Sequence, residues 1–205
     1  MAGEFEQAPL LKERELSGVH GVSHVVIREA VKMLTAKGLL SARPRQGTAV
    51  EPISSWNLLD PDVLRWLFEG GLSRSLLEQL NQLRAAIEPE AAALAARFAS
   101  CAEISIIAAA HARLEAVEQN PHERLDAQIA FHLAILRASG NPFYLRLGDC
   151  IHTSLRASAR FQDSPTARAK GVSLSGRVLK AVAAREADAA RVTMQILLSN
   201  NGAGP

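Results

Sequence analysis

The chain has 205 residues, of which 48% are apolar and 21% are charged. This composition is ordinary for a globular protein, and the length suffices for one large or two small domains. The formal net charge is only +2, so a surplus of positive charge for binding nucleic acid must be confined to one segment. Two distant cysteines exclude a disulfide framework and predict reduced thiols. No apolar run approaches a membrane span and no secretory start is seen, so we expect a cytoplasmic protein without a membrane partner.

The segment after residues 1–11, which show no helical period, predicts a short helix, a tight turn, a second helix and a two-stranded ribbon. Ser23 is placed to cap the second helix, and Gly38 is placed to end it. Apolar residues of this helix recur at i, i+3, i+4 and i+7 and form one face: Ile27, Ala30, Val31 and Leu34. The opposite face carries His24, Val25, Arg28 and Lys32. A helix that begins in this way after a glycine turn has the form of a recognition helix for the major groove.

The ribbon pairs residues 39–42 with residues 48–50, across a connection whose proline and glycine predict a turn and whose two arginines carry charge. Between Lys12 and Val50, seven Lys and Arg residues stand against three Asp and Glu residues. Such a surplus suits the neutralisation of phosphates. The alternative interpretation is a solvated basic helix with a hairpin.

The sequence ERELS, followed by GVS and IREAVKMLTAKGLLSARPRQGTAV, resembles the winged helix-turn-helix of the GntR superfamily of bacterial transcription regulators. The resemblance implies DNA contacts from an arginine in the first motif helix, from early positions of the recognition helix and from the wing glycine. His24 stands where the family usually has arginine, and a mostly neutral imidazole contributes less electrostatic affinity than a guanidinium. A further first helix of the family has no room before Arg14, so we expect a truncated start or a dispensable helix. The predicted DNA-binding residues are Arg14, Ser23, His24, Arg28, Lys32, Arg45, Gly47 and Thr48.

Residues 51–60 predict a linker, after which Asp60 and Pro61 begin a helix that Gly70 and Gly71 end. Apolar residues cover most faces of this helix, so we expect it to be sandwiched or at a dimer contact. The stretch WNLLDPDVLRWL resembles the linker of regulators of the galactonate-operon repressor type. We therefore predict a winged helix-turn-helix domain over 1–52, a linker and connecting helix over 53–72, and a helical effector-binding and dimerisation domain over 73–200.

The remainder of the chain predicts helices throughout, so the expected fold class is all-α with a small β wing and a C-terminal bundle of six to seven helices. The predicted helices are Ser75–Ala99, Ala102–Gln119, Glu123–Ala138, Phe143–Phe161 and Ser173–Leu198, with a polar stretch over 162–171. On the first of these helices we expect an apolar stripe of Leu76, Leu80, Leu83, Ile87, Ala91, Leu94 and Phe98.

This helical part resembles the FCD ligand-binding domain of the FadR-like branch, most closely at LRAAIEPEAAALAA and IAFHLAILRASGNP. The resemblance implies a divalent metal, held by one aspartate and three histidines, that binds a carboxylate effector. Carried over by position, the four ligands fall on Gln128, His132, Ser175 and Leu197. Only His132 keeps a ligand of the family, so we expect no cofactor and disfavour a metal.

The candidate effector-binding residues are Arg84, Gln128, His132, Asn141 and Ser175. Arg84 is the expected anchor, because a buried guanidinium grips a carboxylate with two bonds. Its alternative is a salt bridge to Glu88, four residues along the same helix. The alternative for His132 is a hydrogen-bonded histidine in an alanine-rich core.

These observations predict a homodimeric transcription regulator, a repressor that a small organic acid of the sugar-acid kind releases from operator DNA. One alternative is a relative impaired in DNA binding that only binds ligand or dimerises. The other is an enzyme with His132 as general base. No nucleophile motif, phosphate loop or carboxylate pair accompanies that histidine, so we expect no enzyme.

Overall fold

The structure is a computed structural model that describes residues 12–43, 47–71, 73–117, 120–159 and 164–202. It divides into two compact units, Met1–Leu67 and Phe68–Pro205. Within the described ranges the chain is mostly helical, with one two-stranded antiparallel sheet. The predicted fold class is therefore confirmed. No helix of the described residues is both long enough and apolar enough to cross a membrane.

The N-terminal unit contains the predicted helices and ribbon in the predicted order. They are α1 (Glu13–His20), α2 (His24–Ala36), β1 (Leu40–Arg43) and β2 (Gly47–Val50), followed by a 3-10 turn at Ile53–Ser55 and by the start of α3 (Pro61–Glu69). The strands pair antiparallel, with Leu40 opposite Val50 and Arg43 opposite Gly47.

Local signals explain the turn between α1 and α2. Gly21 ends α1 in the left-handed region, at φ 63°, which glycine adopts without steric cost. The Ser23 hydroxyl then accepts a hydrogen bond from the Val26 amide at 3.4 Å, which caps α2. Ile27 and Val31 are buried on the expected apolar face of α2.

The end of α2 is joined to the start of α3 through Lys37. Its ammonium group donates to both Asp60 carboxylate oxygens at 2.7 Å and lies 3.0 Å from Asp62. The Asp60 carboxylate also accepts from the amides of Asp62 and Val63, as expected of a cap. Gly38 follows at φ 77°, and a Cβ there would lie 2.1 Å from the Ser55 carbonyl oxygen. Only glycine fits that close approach.

The second unit is a helical bundle whose described residues form seven helices from α4 onward. They are α4 (Arg74–Phe98), α5 (Cys101–Ala116), α6 (Pro121–Ala138), α7 (Pro142–Arg146), α8 (Gly148–Ser158), α9 (Pro165–Ala183) and α10 (Ala187–Gly202). Phe131, Ile135, Val178, Val182 and Met194 are fully buried in its core, among many alanines.

Two of the expected helix boundaries are wrong. The helix expected over 143–161 is interrupted at Leu147, whose amide bonds to the Tyr144 carbonyl and ends α7. The helix expected over 173–198 is two helices, and α9 already starts at Pro165, a residue suited to a first helical position. Arg185 separates α9 from α10 in the left-handed region at φ 64°.

The expected stripe on α4 is buried only in part: Ala91 lies in the core and Ile87 packs against it. Phe98 is 67% exposed, and the leucines of the stripe are half-buried. The buried face instead carries Leu77, Arg84, Glu88 and a run of alanines. α4 packs most extensively against α10, and small alanine side chains let the two backbones approach closely.

Candidate functional sites: the recognition helix and the helical-domain cavity

The outer face of α2 is exposed and basic. His24, Arg28 and Lys32 all lie on it. The Arg28 side chain is 63% exposed and lies 3.8 Å from Glu13, while Lys32 lies 2.8 Å from Glu29. Surface ion pairs of this kind contribute little free energy. Both cations can therefore exchange their carboxylate for a phosphate at small cost.

The other expected DNA contacts are placed as follows. Arg14 is exposed on α1, and Ser23 is exposed at the cap of α2. Gly47 begins β2, and Arg45 lies outside the described residues. Thr48 is a correction, because strand alternation turns its side chain inward and it is only 9% exposed. Its position is that of a packing residue and not of a DNA contact.

In the helical unit, a cavity of about 140 Å³ lies between α5, α6 and α9, with Leu197 of α10 in its wall. The polar residues that line it are Arg124, Gln128, His132, Ser164, Arg168 and Ser175. Phe131 and three leucines supply much of the apolar wall. Two arginines, Arg124 and Arg168, are thus among the described residues that line the cavity.

The four positions that the family resemblance assigns to metal ligands all line this one cavity: Gln128, His132, Ser175 and Leu197. Their chemistry does not fit a divalent metal. An amide, a hydroxyl and an alkyl side chain replace an anionic carboxylate and two imidazoles, which leaves one strong ligand. Within the described residues, no group of three or more His, Cys, Asp or Glu side chains is placed to hold a metal.

A buried carboxylate is hydrogen-bonded to His132 on the side of α4. The Nδ1 atom of His132 is hydrogen-bonded to Oε2 of Glu88 on α4, and both residues are 1% exposed. The other carboxylate oxygen of Glu88 accepts from Nε of Arg84 at 2.6 Å. Nη1 of Arg84 lies 3.5 Å from the hydroxyl of Ser154. Arg84, Glu88 and His132 thus form one chain of polar contacts from α4 to the cavity wall.

This chain corrects two of the expected effector contacts. Arg84 does not line the cavity, because it forms the buried ion pair with Glu88 that was its alternative interpretation. Asn141 does not line it either, and its side chain caps α7 by accepting from the Phe143 amide at 3.0 Å.

The ionisation of Glu88 follows from its neighbours. Burial by itself raises the pKa of this carboxyl, but the charge of Arg84 and the interaction with His132 outweigh burial and lower its pKa to about 2. Glu88 is therefore an anion at neutral pH. An anion is the partner that a buried guanidinium requires.

Ser175 is held in a similar way. Its hydroxyl lies 3.2 Å from Nδ1 of His111 on α5 and donates to the Val172 carbonyl at 2.8 Å. Nε2 of His111 lies 3.3 Å from the Glu115 carboxylate. Gly176 lets this imidazole approach α9, since a Cβ there would lie 2.8 Å from Nε2.

Sequence reasoning missed Glu88 as a buried partner, and it missed His111, Arg124 and Arg168. Arg124 had a usable signal, because Arg124, Gln128 and His132 recur at i, i+4 and i+8 and therefore share one face of α6. Glu88 was recognised only as a surface partner. Its burial depends on which face of α4 meets the rest of the bundle.

A winged helix-turn-helix with an exposed basic recognition helix, followed by a helical domain with a polar cavity, defines the class of ligand-responsive DNA-binding regulators. Residues 1–50 match the family described as bacterial regulatory proteins, gntR family, and residues 79–200 match the FCD domain. The chain belongs to the GntR family of transcription regulators, in the branch with an FCD domain. The families that it matches are transcription regulators and not enzymes.

Two curated relatives are both from Escherichia coli K12. The chain is 35% identical over 156 residues to the uncharacterized HTH-type transcriptional regulator YieP, an alignment that covers 75% of this chain and 68% of the relative. It is 32% identical over 150 residues to the galactonate operon transcriptional repressor, covering 73% of this chain and 66% of that protein. The chain thus spans about two thirds of the length of these two relatives.

Solved structures show the same fold. A GntR protein of Streptococcus agalactiae has a TM-score of 0.58 at 22% identity, covering 94% of this chain and 88% of that one. E. coli McbR/YncC also has a TM-score of 0.58, at 19% identity, covering 96% of this chain and 87% of that one.

Proposed function

We propose that the chain is a transcriptional repressor that binds operator DNA through α2 and the wing and is released by a small organic acid bound in the helical-domain cavity. The observation that supports the effector class is the lining of the cavity, where Arg124 and Arg168 stand beside the polar side chains of Gln128, His132 and Ser175. A cavity of that composition favours an anion. The protein acts in the cytoplasm, where its operator lies.

The DNA-binding part of the proposal rests on the exposed cations of the recognition helix. Arg28 and Lys32 lie one turn apart on one exposed face of α2, and Arg14 is exposed on α1. Their carboxylate partners are exposed and exchangeable. Arginine can contact a guanine edge with two bonds or a phosphate with its charge. We therefore assign base or phosphate contact to Arg28 and phosphate contact to Lys32.

The effector part of the proposal rests on Arg124, Arg168 and Gln128. The Arg124 guanidinium also donates to the Val117 carbonyl at 2.9 Å, which fixes its position. Planar guanidinium groups bind carboxylates with two parallel bonds. The name of one relative, a galactonate operon repressor, supports a sugar-acid-like ligand. The cavity volume of about 140 Å³ is close to that of an engineered cavity of about 150 Å³ that holds benzene, which favours a short acid.

The similarity to a galactonate operon repressor supports the proposed direction of regulation. We propose that the chain acts as a homodimer. Leu76, Leu80 and Leu83 of α4 remain half-buried within one protomer, and a twofold partner that covers them would suit a palindromic operator. The acid can shift such a dimer off DNA only by binding the released state more tightly than the DNA-bound state.

The test adds acids to the complex of the full chain with DNA from upstream of its gene. We expect D-glycerate to weaken the complex of the wild-type chain, and Arg124→Ala or Arg168→Ala to remove this response while leaving DNA affinity intact. Arg177→Ala, an exposed charge elsewhere on α9, is the matched control. If acids strengthen the complex with DNA, the protein is an activator or a repressor that needs a co-repressor. If the response survives in both cavity variants, the effector binds outside this cavity.

A further inference from the structure

The cavity brings together the four positions that the family resemblance assigns to metal ligands, but only His132 keeps the implied ligand. We propose that two histidine-centred chains replace the metal: Arg84–Glu88–His132 and Glu115–His111–Ser175 position an imidazole and a hydroxyl that hydrogen-bond directly to the anionic ligand. This inference rests on the proposed function, because it requires that the cavity binds an anion.

The first chain fixes the orientation of His132. Its Nδ1 atom is committed to Glu88, whose own position is fixed by the 2.6 Å bond from Arg84. Because His132 lines the cavity and no hydrogen bond joins its Nε2 atom to another described residue, Nε2 is the ring nitrogen that can meet a ligand. At metal sites, a histidine ligand is usually oriented by a carboxylate that is hydrogen-bonded to its other ring nitrogen. Here the same device orients a hydrogen-bonding group.

The second chain fixes the hydroxyl of Ser175. Nδ1 of His111 and the Val172 carbonyl both contact this oxygen, at 3.2 and 2.8 Å. The His111 ring is itself placed by Glu115 on one side and by the missing side chain of Gly176 on the other. A hydroxyl both donates and accepts. Because the Ser175 hydroxyl donates its one proton to the Val172 carbonyl, its oxygen can accept a hydrogen bond from a hydroxyl group of the ligand.

These groups together define the ligand class. Arg124 and Arg168 supply the positive charge for a carboxylate, and His132, Gln128 and Ser175 supply directional bonds to hydroxyl groups. At about 140 Å³ the cavity suits roughly six or seven non-hydrogen atoms, on the scale of the engineered benzene-binding cavity. A short hydroxy acid such as glycerate suits both the volume and the hydrogen-bonding groups of the cavity, whereas propionate lacks the hydroxyl groups.

The first arm of the test needs no ligand. The chain is labelled with ¹⁵N-histidine and stripped of metal with EDTA, and its ring resonances are recorded before and after one equivalent of Zn²⁺. We expect the His132 resonances to stay unchanged with Zn²⁺ and to move in Glu88→Gln. Stoichiometric Zn²⁺ binding that shifts His132 and is lost in His132→Gln would overturn the inference.

The triple variant Gln128→Asp, Ser175→His, Leu197→His restores the implied ligands and should gain one Zn²⁺ per chain. A folded variant that gains none would contradict the correspondence of the four positions.

The second arm measures D-glycerate and propionate binding by calorimetry in EDTA. We expect the wild-type chain to bind glycerate more tightly than propionate, and Glu88→Gln and Ser175→Ala each to weaken glycerate about tenfold, as the loss of one hydrogen bond does. Ser158→Ala, a buried serine that does not line the cavity, should leave the affinity unchanged. Glycerate binding that requires Zn²⁺ would overturn the inference. Metal-free binding of acids without any effect on the DNA complex would instead contradict only the proposed function.

Discussion

Glu88 and His132 lie 44 residues apart in the sequence and are joined in the interior of the helical domain by a hydrogen bond from Nδ1 of the histidine to a carboxylate oxygen. Both are 1% exposed. With Arg84 they form a polar chain in a core made otherwise of alanine and larger apolar side chains. Taking charges out of water costs free energy, and such a chain is stable only while each member keeps its partner.

Removing Glu88 should therefore strongly destabilise the helical domain. We expect Glu88→Ala to lower the free energy of unfolding by about 3–5 kcal/mol, because it leaves the Arg84 guanidinium buried without its carboxylate. Urea unfolding followed by circular dichroism measures this. Glu90→Ala, two residues along α4 in a partly exposed pair with Arg191, should cost less than about 1 kcal/mol. Equal costs for the two variants would contradict the buried chain.

The turn after α2 provides a second prediction. Gly38→Ala should destabilise the N-terminal unit by at least about 2 kcal/mol, because the new Cβ would collide with the Ser55 carbonyl. The left-handed backbone conformation at this position would in addition strain any residue with a Cβ. Gly21→Ala has φ 63° but no neighbour within 4 Å, so strain alone should cost about 1 kcal/mol. Thermal unfolding of both variants separates the two effects. A smaller loss for Gly38→Ala than for Gly21→Ala would show that the close approach does not exist.

The Lys37 pairs predict a pH dependence. The hydrogen bond from Lys37 lowers the pKa of Asp60, and bonds from Arg65 and then Lys37 lower the pKa of Asp62, both from an ordinary value of 3.8. A carboxyl with a lowered pKa in the folded state stabilises that state above its ordinary pKa and loses the contribution as the pH falls. The same bonds raise the pKa of Lys37 from 10.5, so its contribution is lost only at high pH.

We therefore expect Lys37→Met to lower the melting temperature at pH 7 and to have a smaller effect near about pH 3, because the contribution of both carboxyls is lost as the pH falls from their ordinary pKa towards their lowered folded-state pKa. The difference in melting temperature between wild type and variant, measured across this range, isolates the pair from other titrating groups. Lys32→Met, which removes an exposed lysine paired only with exposed Glu29, should show almost no effect at either pH. Nζ of Lys37 also lies 5.8 Å from the centroid of the Trp66 ring. An equal effect of Lys37→Met at both pH values would mean that the variant acts through this ring contact and not through the carboxylates.

The DNA-binding elements could be predicted from the sequence because their signals are local. Gly21, the Ser23 cap and the apolar period of α2 each act within a few residues. Thr48 could not be assigned correctly, because the face of a short ribbon that is buried depends on what packs against it.

The helical domain was harder to predict because long-range packing chooses among local alternatives. On α4 the leucine stripe and the alanine face both have a helical period, and the close approach of α10 selects the alanine face. Arg185 ends α9 in a left-handed conformation, and with neither glycine nor proline there, propensity gives no sign of the break. The pairing of Glu88 with His132 is likewise visible only once α4 and α6 are in contact.

The recognition helix gives a fourth prediction. Arg28→Ala should weaken binding to the specific DNA by about tenfold or more, since one base contact contributes about 1–3 kcal/mol. The exposed side chain has only a weak pair with Glu13, so the melting temperature should stay within about a degree or two of wild type. Fluorescence anisotropy and thermal unfolding check the two parts. A variant that keeps full affinity would exclude Arg28 from the interface.

The most direct test of the account is a fluorescence anisotropy titration of DNA from upstream of the chain's own gene, with random DNA as competitor, at two salt concentrations. A sequence-specific regulator should bind the upstream DNA about 10³-fold or more tighter than random DNA near physiological salt, and the affinity should fall as salt rises. Equal affinity for the two DNAs at both salt concentrations would contradict the account.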